Sequence, residues 1–404
     1  MVKNKRRRGS RRKVYRRGKR ERQIQLIRKV LAMVLALFVV LLIVLIIQDI
    51  RVKSGAKEVS QQQAADQGSG DQEEKTAAEG ADSGEGALSS QEVAPVQLTI
   101  SAAGDCTLGS DEGFDEESSF DTMYDSVGEP SYFFRNVKSI FENDDLTIVN
   151  MEGPLTTSED LQEKEFSFKG RPEYTRILTE GSVEAVNLAN NHSYDYGEQG
   201  YQDTIQNVEN AGITSFGYER TALLDIKGVK VGLAGIYVLK DGMERESQLK
   251  EHIASLKQQG AQLVIVNFHW GSEKENYPDD IQVSLAHTAV DNGADLVVGH
   301  HPHVLQGIEK YNGKYIVYSL ANFCFGGNSN PSDKDTMIFQ QTFTIQNQEV
   351  AKDDNIQIIP CSVSSESNYN NYQPTPAEGE EKTRIQEKID QFSSSLLSRE
   401  GTIN

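Results

Sequence analysis

"GADLVVGHHPHVLQG", residues 293–307, runs from an apolar, β-branched stretch into three histidines within four positions, His300, His301 and His303. The whole chain holds only seven histidines, so a cluster this dense asks for a reason. A chance surface group is the bland explanation, and a metal site is the sharper one. The segment itself reads as a short buried strand that ends in a polar cluster. On an extended backbone His301 and His303 alternate and point the same way, His300 faces away and is expected to pack or hydrogen-bond behind them, and Pro302 stiffens the turn.

The same arrangement recurs along the chain. "VQLTISAAGD" ends at Asp105, "DLTIVNMEG" at Asn150 and Glu152, "VEAVNLANNH" at Asn190, Asn191 and His192, and "AQLVIVNFHWG" at His269. Taken singly, each has an ordinary reading. Asp105 caps a turn, Glu152 is solvated, and a lone histidine such as His269 is more often a satisfied core residue than a ligand. Taken together they form a pattern, because ligands in α/β folds gather at the C-terminal ends of strands. Helix-patterned segments lie between them: "GEQGYQDTIQNVENAGI" stops at Gly212 and "IQVSLAHTAVDNGA" at Gly293. Strands alternating with helices predict α/β layering. Two stretches read as hairpins, with turns at Lys227-Gly228 and Asn312-Gly313, so the sheets are expected to be mixed. Two same-side histidines with carboxylates and an amide oxygen suit a borderline divalent ion such as manganese, zinc or iron. Two such ions bridged by one acidic residue would clamp both oxygens of an ester displacement.

Charge and hydropathy divide the rest of the 404 residues. Residues 1–29 hold 15 Lys/Arg and one acidic residue, a charge of +14 against −19 for the whole chain, leaving −33 for the remainder. Val30–Ile47 is an uncharged run of 18 apolar residues, about 27 Å as a helix and close to the hydrocarbon thickness of a bilayer. The run is long for a cleaved signal and lacks a small-residue cleavage site, which predicts a retained signal anchor at residues 30–50. The positive flank places residues 1–29, a basic tail, in the cytoplasm and the rest outside, on the cell surface of a single-pass membrane protein. The tail then meets anionic lipid, and no nucleic-acid partner is needed to account for it. Residues 51–95, rich in Gln, Ala, Gly, Ser and Glu, predict a disordered linker. The folded unit is expected at 96–362, followed by a polar tail at 363–404 with a short helix around 380–398. Three cysteines, Cys106, Cys324 and Cys361, are too few for a disulfide framework, and their pairing stays open.

Several motifs together carry a resemblance: "GDCTLG", "NMEGPLT", "FKGRPE", "NLANNHSYDYGEQGYQDT", "FHWGSE" and "GADLVVGHHPHVLQGIEKYNGKYIVYSLANF". Across about Val96 to Gly327 the chain resembles the CapA family of poly-γ-glutamate capsule synthesis proteins, which is similar to the calcineurin-like metallophosphoesterases. The resemblance implies a metallophosphatase-like four-layer αββα sandwich, with two mixed β-sheets and helices outside, and a site for two divalent metal ions. It makes Asp105, Glu152, Asn191, His269, His301 and His303 the candidate ligands. Carried over with "NNHSYDYG", it makes His192 the general acid to the leaving group and Asp195 the residue that orients it. Lys169 and Arg171 in "FKGRPE", together with Asn322, become candidates for binding an anionic substrate group. The chain departs from the phosphoesterase pattern at three places. Cys106-Thr107 follow Asp105 where Asp-x-His is usual, Glu152 replaces a bridging Asp, and Ala321 replaces a Gly.

Two functions are compatible with this reading. One is a membrane-anchored, extracytoplasmic metal-dependent hydrolase acting on a phosphoester, or on an amide or ester linkage, in an anionic surface polymer such as poly-γ-glutamate. The other is a non-catalytic subunit of a capsule synthesis or export complex, whose membrane segment docks other membrane subunits. A charge of about −33 outside the membrane repels a polyanion over the broad surface and favours a focused site.

Overall fold

The computed structural model describes residues 94–351 and 355–397. The expected basic tail, membrane anchor and nearly all of the linker, residues 1–93, lie outside these, and among the described residues no helix is long and apolar enough to cross a membrane.

The strands in chain order are β1 (Val96–Thr107), β2 (Ser110–Asp111), β3 (Leu146–Met151), β4 (Phe168–Lys169), β5 (Ala185–Asn187), β6 (Thr214–Phe216), β7 (Ala222–Ile226) and β8 (Val229–Tyr237). They continue with β9 (Leu263–His269), β10 (Leu296–His300), β11 (Ile308–Tyr311), β12 (Lys314–Val317), β13 (Asn322–Phe325), β14 (Asp335–Gln346), β15 (Glu349–Val350), β16 (Ile356–Ser362) and β17 (Thr375–Pro376). One sheet runs β17-β16-β14-β1-β3-β5-β6, with β13 beside β1 and β15 beside β14; the other runs β11-β12-β10-β9-β8-β7. Both are mixed: β1, β3, β5 and β6 are parallel while β14 is antiparallel to β1, and β8, β9, β10 and β12 are parallel between antiparallel edges.

The central strands are largely apolar because both of their faces are covered. Every residue of β3, β9 and β10 is buried. One core lies between the two sheets, where Ile100, Ile148 and Phe339 meet Leu233, Ile265 and Val298. A second packs Val149 and Val186 against Ile205 and Val208 of the helix Gly197–Asn210. A third packs Val264 and Val266 against Leu249 and Ile253 of the helix Glu246–Gln258 and Leu285 of the helix Asp280–Asp291. The order is therefore helix, sheet, sheet, helix, and each buried Leu, Ile or Val contributes roughly 1.5–3 kcal/mol.

Local signals account for the connections. Lys227-Gly228 and Asn312-Gly313 both hold left-handed backbone (φ 54°, 81° and 48°, 79°), as a two-residue hairpin turn demands, and join β7 to β8 and β11 to β12. Asp279 and Gln282 close a reciprocal capping box at the start of Asp280–Asp291. Beyond residue 362 the chain does not run off as a polar tail. It adds β17 to the sheet edge, buries Tyr372, and lays Ile385 and Ile389 of the helix Gly379–Leu397 on the inter-sheet core. Local composition hides this, because the apolar residues are few and their partners are distant in sequence.

Candidate functional site

The C-terminal ends of β1 and β3 in one sheet and of β9 and β10 in the other meet at one edge of the inter-sheet core. Asp105, Glu152 and His269 are completely buried there, and His301 nearly so. Ligand-type atoms of Glu152, His269 and His301 lie within 4.8 Å of one another, and so do those of Asp105, Glu152 and His303. Glu152 belongs to both groups. Its Oε1 is 3.8 Å from His269 Nε2 and 4.0 Å from His303 Nε2. Asn191 Oδ1 lies 2.6 Å from His269 Nε2, which brings the sixth expected residue to the same place.

Buried amides hold this cluster from behind. Asn150 donates to Asp105 Oδ1 at 2.8 Å, and Asn187 donates to Asn150 Oδ1 at 2.9 Å. Asn190 donates to the Met151 carbonyl and accepts the His192 backbone N–H, so it fixes the turn that presents Asn191 and His192. His192 Nδ1 is 2.7 Å from Asp195 Oδ2, which leaves Nε2 for the cleft that His192 lines. Asp195 is fully buried and also accepts the Phe168 backbone N–H at 2.8 Å and the Lys164 ammonium, which reaches the Asn191 carbonyl as well. Lys164 escapes a reading of local motifs, because its carboxylate partner lies 31 residues away.

Other expectations are corrected in detail. His301 and His303 are not alternating positions on an extended strand: their φ values are 95° and 57°, and the His301-Pro302-His303 turn aims both rings into the cluster, 5.6 Å apart. Backbone of this kind in non-glycine residues costs of order 1–3 kcal/mol and marks sites where geometry is imposed. His300 stands at the end of β10. It lies behind the cluster, with Nδ1 3.5 Å from Asp105 Oδ1 and Nε2 3.3 Å from Asn267 Oδ1. Asn322 is 96 % buried, and its Oδ1 stands 2.8 Å from His303 Nδ1, so it orients that ring. Arg171 makes paired 2.7 Å bonds to Asp125, and Lys169 sits 3.4 Å from Glu112 and over the Tyr196 ring. Both line a separate cavity of about 340 Å³. The cation at the cleft beside His192 is Lys274, held at φ 64° by the bond from its N–H to the Pro302 carbonyl. Ala321 also has positive φ, 63°, the conformation that a glycine would take more easily, and its carbonyl accepts the Asp105 N–H. The three cysteines are buried and unpaired.

The donor set fits a cation. Both oxygens of the completely buried Glu152 carboxylate lack any hydrogen-bond partner, as does His301 Nδ1. A buried carboxylate left so costs several kcal/mol unless a positive charge meets it. Burial and Asp105 push Glu152 up to about 7. Burial opposes charge on His303, but Glu152 and Asp105 outweigh it and hold the imidazole up at about 10. Burial, reinforced by His303, pushes His301 down to about 4, and burial takes His269 well below its usual value, the neutral form in which imidazole binds metal. The site attracts one positive charge and keeps two imidazoles free to ligate.

Fold and site together define an α/β protein with a cluster of metal-ligand-type residues at the strand ends between two sheets. Residues 99–327 match the family described as bacterial capsule synthesis protein PGA_cap, and the chain belongs to that family. It is 33% identical over 213 residues to the PGA biosynthesis protein CapA of Bacillus subtilis (strain 168), covering 48% of this chain and 56% of that protein. It is 33% identical over 220 residues to the capsule biosynthesis protein CapA of Bacillus anthracis, covering 48% and 54% respectively. The chain thus spans about half the length of the curated relatives it matches. Among solved structures, a hypothetical protein from Thermus thermophilus aligns with a TM-score of 0.40 at 14% identity, over 65% of this chain and 99% of that one.

Proposed function

We propose that the chain is a membrane-anchored, extracytoplasmic metal-dependent hydrolase of metallophosphatase-like architecture that serves poly-γ-glutamate capsule synthesis. The observation that carries this reading is the orphaned Glu152 carboxylate at the centre of the imidazole and carboxylate groups. Asp105, Glu152 and His303 would hold one divalent ion, and Glu152, His269 and His301 a second, with Asn191 beside His269. Manganese, zinc and iron all suit these donors. Such ions supply polarisation of an ester oxygen and a nucleophile available at neutral pH.

The remaining work falls to the chain's own groups. His192, oriented by Asp195, presents Nε2 to the cleft and gives its proton to the departing group, the oxygen of an ester or the nitrogen of an amide. The bond between Nδ1 and the carboxylate fixes the orientation of the ring for the transfer. Lys274 at the cleft meets an anionic group of the substrate, a phosphoester or an amide or ester linkage in surface polymer. Residues 30–50 hold the domain at the membrane, where other capsule-synthesis subunits are within reach.

The test is elemental analysis of the full-length protein, followed by hydrolysis assays on simple phosphodiesters and on γ-glutamyl polymer. His192→Ala is expected to keep its metal and lose turnover, while His301→Ala loses both. Bound metal with no turnover on any substrate, and a capsule phenotype indifferent to His192→Ala, would move the reading to an assembly subunit.

A further inference from the structure

The cleft beside His192, about 260 Å³, has walls of a different chemistry from its floor. Phe168 packs on the His192 ring with centroids 4.5 Å apart, and Phe325 lies 5.5 Å from the His303 ring. The two phenyl rings converge over Gly327: a Cβ there would meet Phe325 Cζ at 2.5 Å and Phe168 Cζ at 3.2 Å, so glycine lets both rings approach without either having to shift. Phe166 extends that surface outward, parallel to Phe168 to within 3° and 46% exposed, an exposure that burial alone gives no reason for. Phe114, 6.1 Å away, backs Phe166.

Around this platform stand Glu273, Asn328, Ser332 and Asp333, with Lys274 the cation of the cleft. Lys388 neutralises Asp333, which leaves Glu273 facing Lys274 on the rim and no strong excess of either charge there. A larger cavity, about 880 Å³, lies alongside; its Arg384 and Lys388 are paired with Asp335 and Asp333, and its Lys334 donates to the carbonyls of Glu366, Ser367 and Tyr369.

We infer that the cleft is a subsite for the leaving group of the scissile bond, and that this group is the ring of a sugar laid face-on against the exposed Phe166, beside the edge of the nearly buried Phe168. The inference rests on the hydrolase reading for the identity of the scissile bond, though not for the existence of the subsite. A pyranose presents C–H bonds on its face and hydroxyls around its edge. The aromatic platform matches the face, and the amide, hydroxyl and carboxylates of the rim match the edge. The volume accommodates about one ring. The oxygen on that ring's edge then lies next to His192, where the proton is delivered.

The test separates the subsite from the chemistry. Saturation-transfer NMR on the full-length, metal-stripped protein with methyl glucoside as probe should show transfer to the ring protons. Transfer should fall roughly five- to ten-fold in Phe166→Ala, whose side chain is half exposed and whose loss leaves the fold intact. Gly327→Ala should abolish it by forcing the rings apart, with an unchanged circular dichroism spectrum confirming the fold. Absence of transfer in the parent protein, or equal transfer in Phe166→Ala, overturns the inference. So does stronger competition by a γ-glutamyl oligomer than by the sugar. Because the probe carries no ester and the protein no metal, a failure of the hydrolase reading leaves this result untouched.

Discussion

Glu152 concentrates the electrostatic conflict of the site in one side chain. Its carboxylate is buried without partners, and replacing it by the isosteric amide removes the charge while preserving the shape. Glu152→Gln is therefore expected to lose bound metal, yet in the metal-free state to melt no lower than wild type, as calorimetry on chelated samples would show. The pH dependence follows from the same group. Metal-free Glu152 keeps its proton up to about 7, above its ordinary 4.5, so its contribution to stability is complete below about pH 4.5 and is lost as the pH rises through 7. His303, raised to about 10, likewise loses its contribution as the pH rises through that value. His301, lowered to about 4, acts the opposite way below about pH 6.5, so the comparison belongs above that point. Metal-free protein should melt earlier at pH of about 8.5 than at about 6.5, and added metal should narrow the gap. Lys164 is the other telling residue. Lys164→Met should lower turnover about ten-fold with metal content unchanged, and Lys164→Arg should restore most of it, since both cations can meet Asp195. Equal loss in the two variants would mean that the lysine only props up its loop.

At the scale of elements, the C-terminal helix tests how far the domain extends. Arg384 and Lys388 grip Asp335, a nearly buried carboxylate at the start of β14, and together they hold Asp335 below the usual carboxylate range. A depressed carboxylate contributes above its unfolded value and loses that contribution as the pH falls through the folded one. Asp335→Asn should cost about 1–2 kcal/mol in urea unfolding, with the half-exposed Arg384 screened by solvent. An unchanged midpoint would show that the helix is held by Ile385 and Ile389 alone. The elements most legible beforehand carry their cause within a few residues: the turns at Lys227-Gly228 and Asn312-Gly313, the stops at Gly212 and Gly293, and the strands that carry Asp105, Glu152, His269 and His300 near or just beyond their C-terminal ends. What escaped depends on distance. Tyr372 bonds the Ser118 carbonyl across 254 residues, and Arg171 is neutralised by Asp125, 46 residues upstream. Motif spacing found the ligand-type residues but not their backbone, because positive φ at His301 and His303 is imposed by packing rather than announced by residue type.

For the molecule as a whole, the charge asymmetry leads to an experiment in cells. With +14 before the apolar run and −33 over the rest, the domain should resist alkaline extraction from membranes and be digested by protease added to intact protoplasts. Protection from protease would reverse the proposed orientation. The capsule family accounts for residues 99–327, whereas the C-terminal helix and β17 lie beyond the matched region and still complete the core. Everything proposed about chemistry, from the orphaned carboxylate to the His192–Asp195 pair, depends on divalent ions at the meeting of the two sheets. The most direct measurement is the metal content of the full-length protein beside Glu152→Gln, by elemental analysis after purification without chelators. About two divalent ions per wild-type chain, and fewer than half as many in the variant, is the expected result. Wild-type protein that carries no transition metal, and takes none up when manganese, zinc or iron is supplied, would contradict the account.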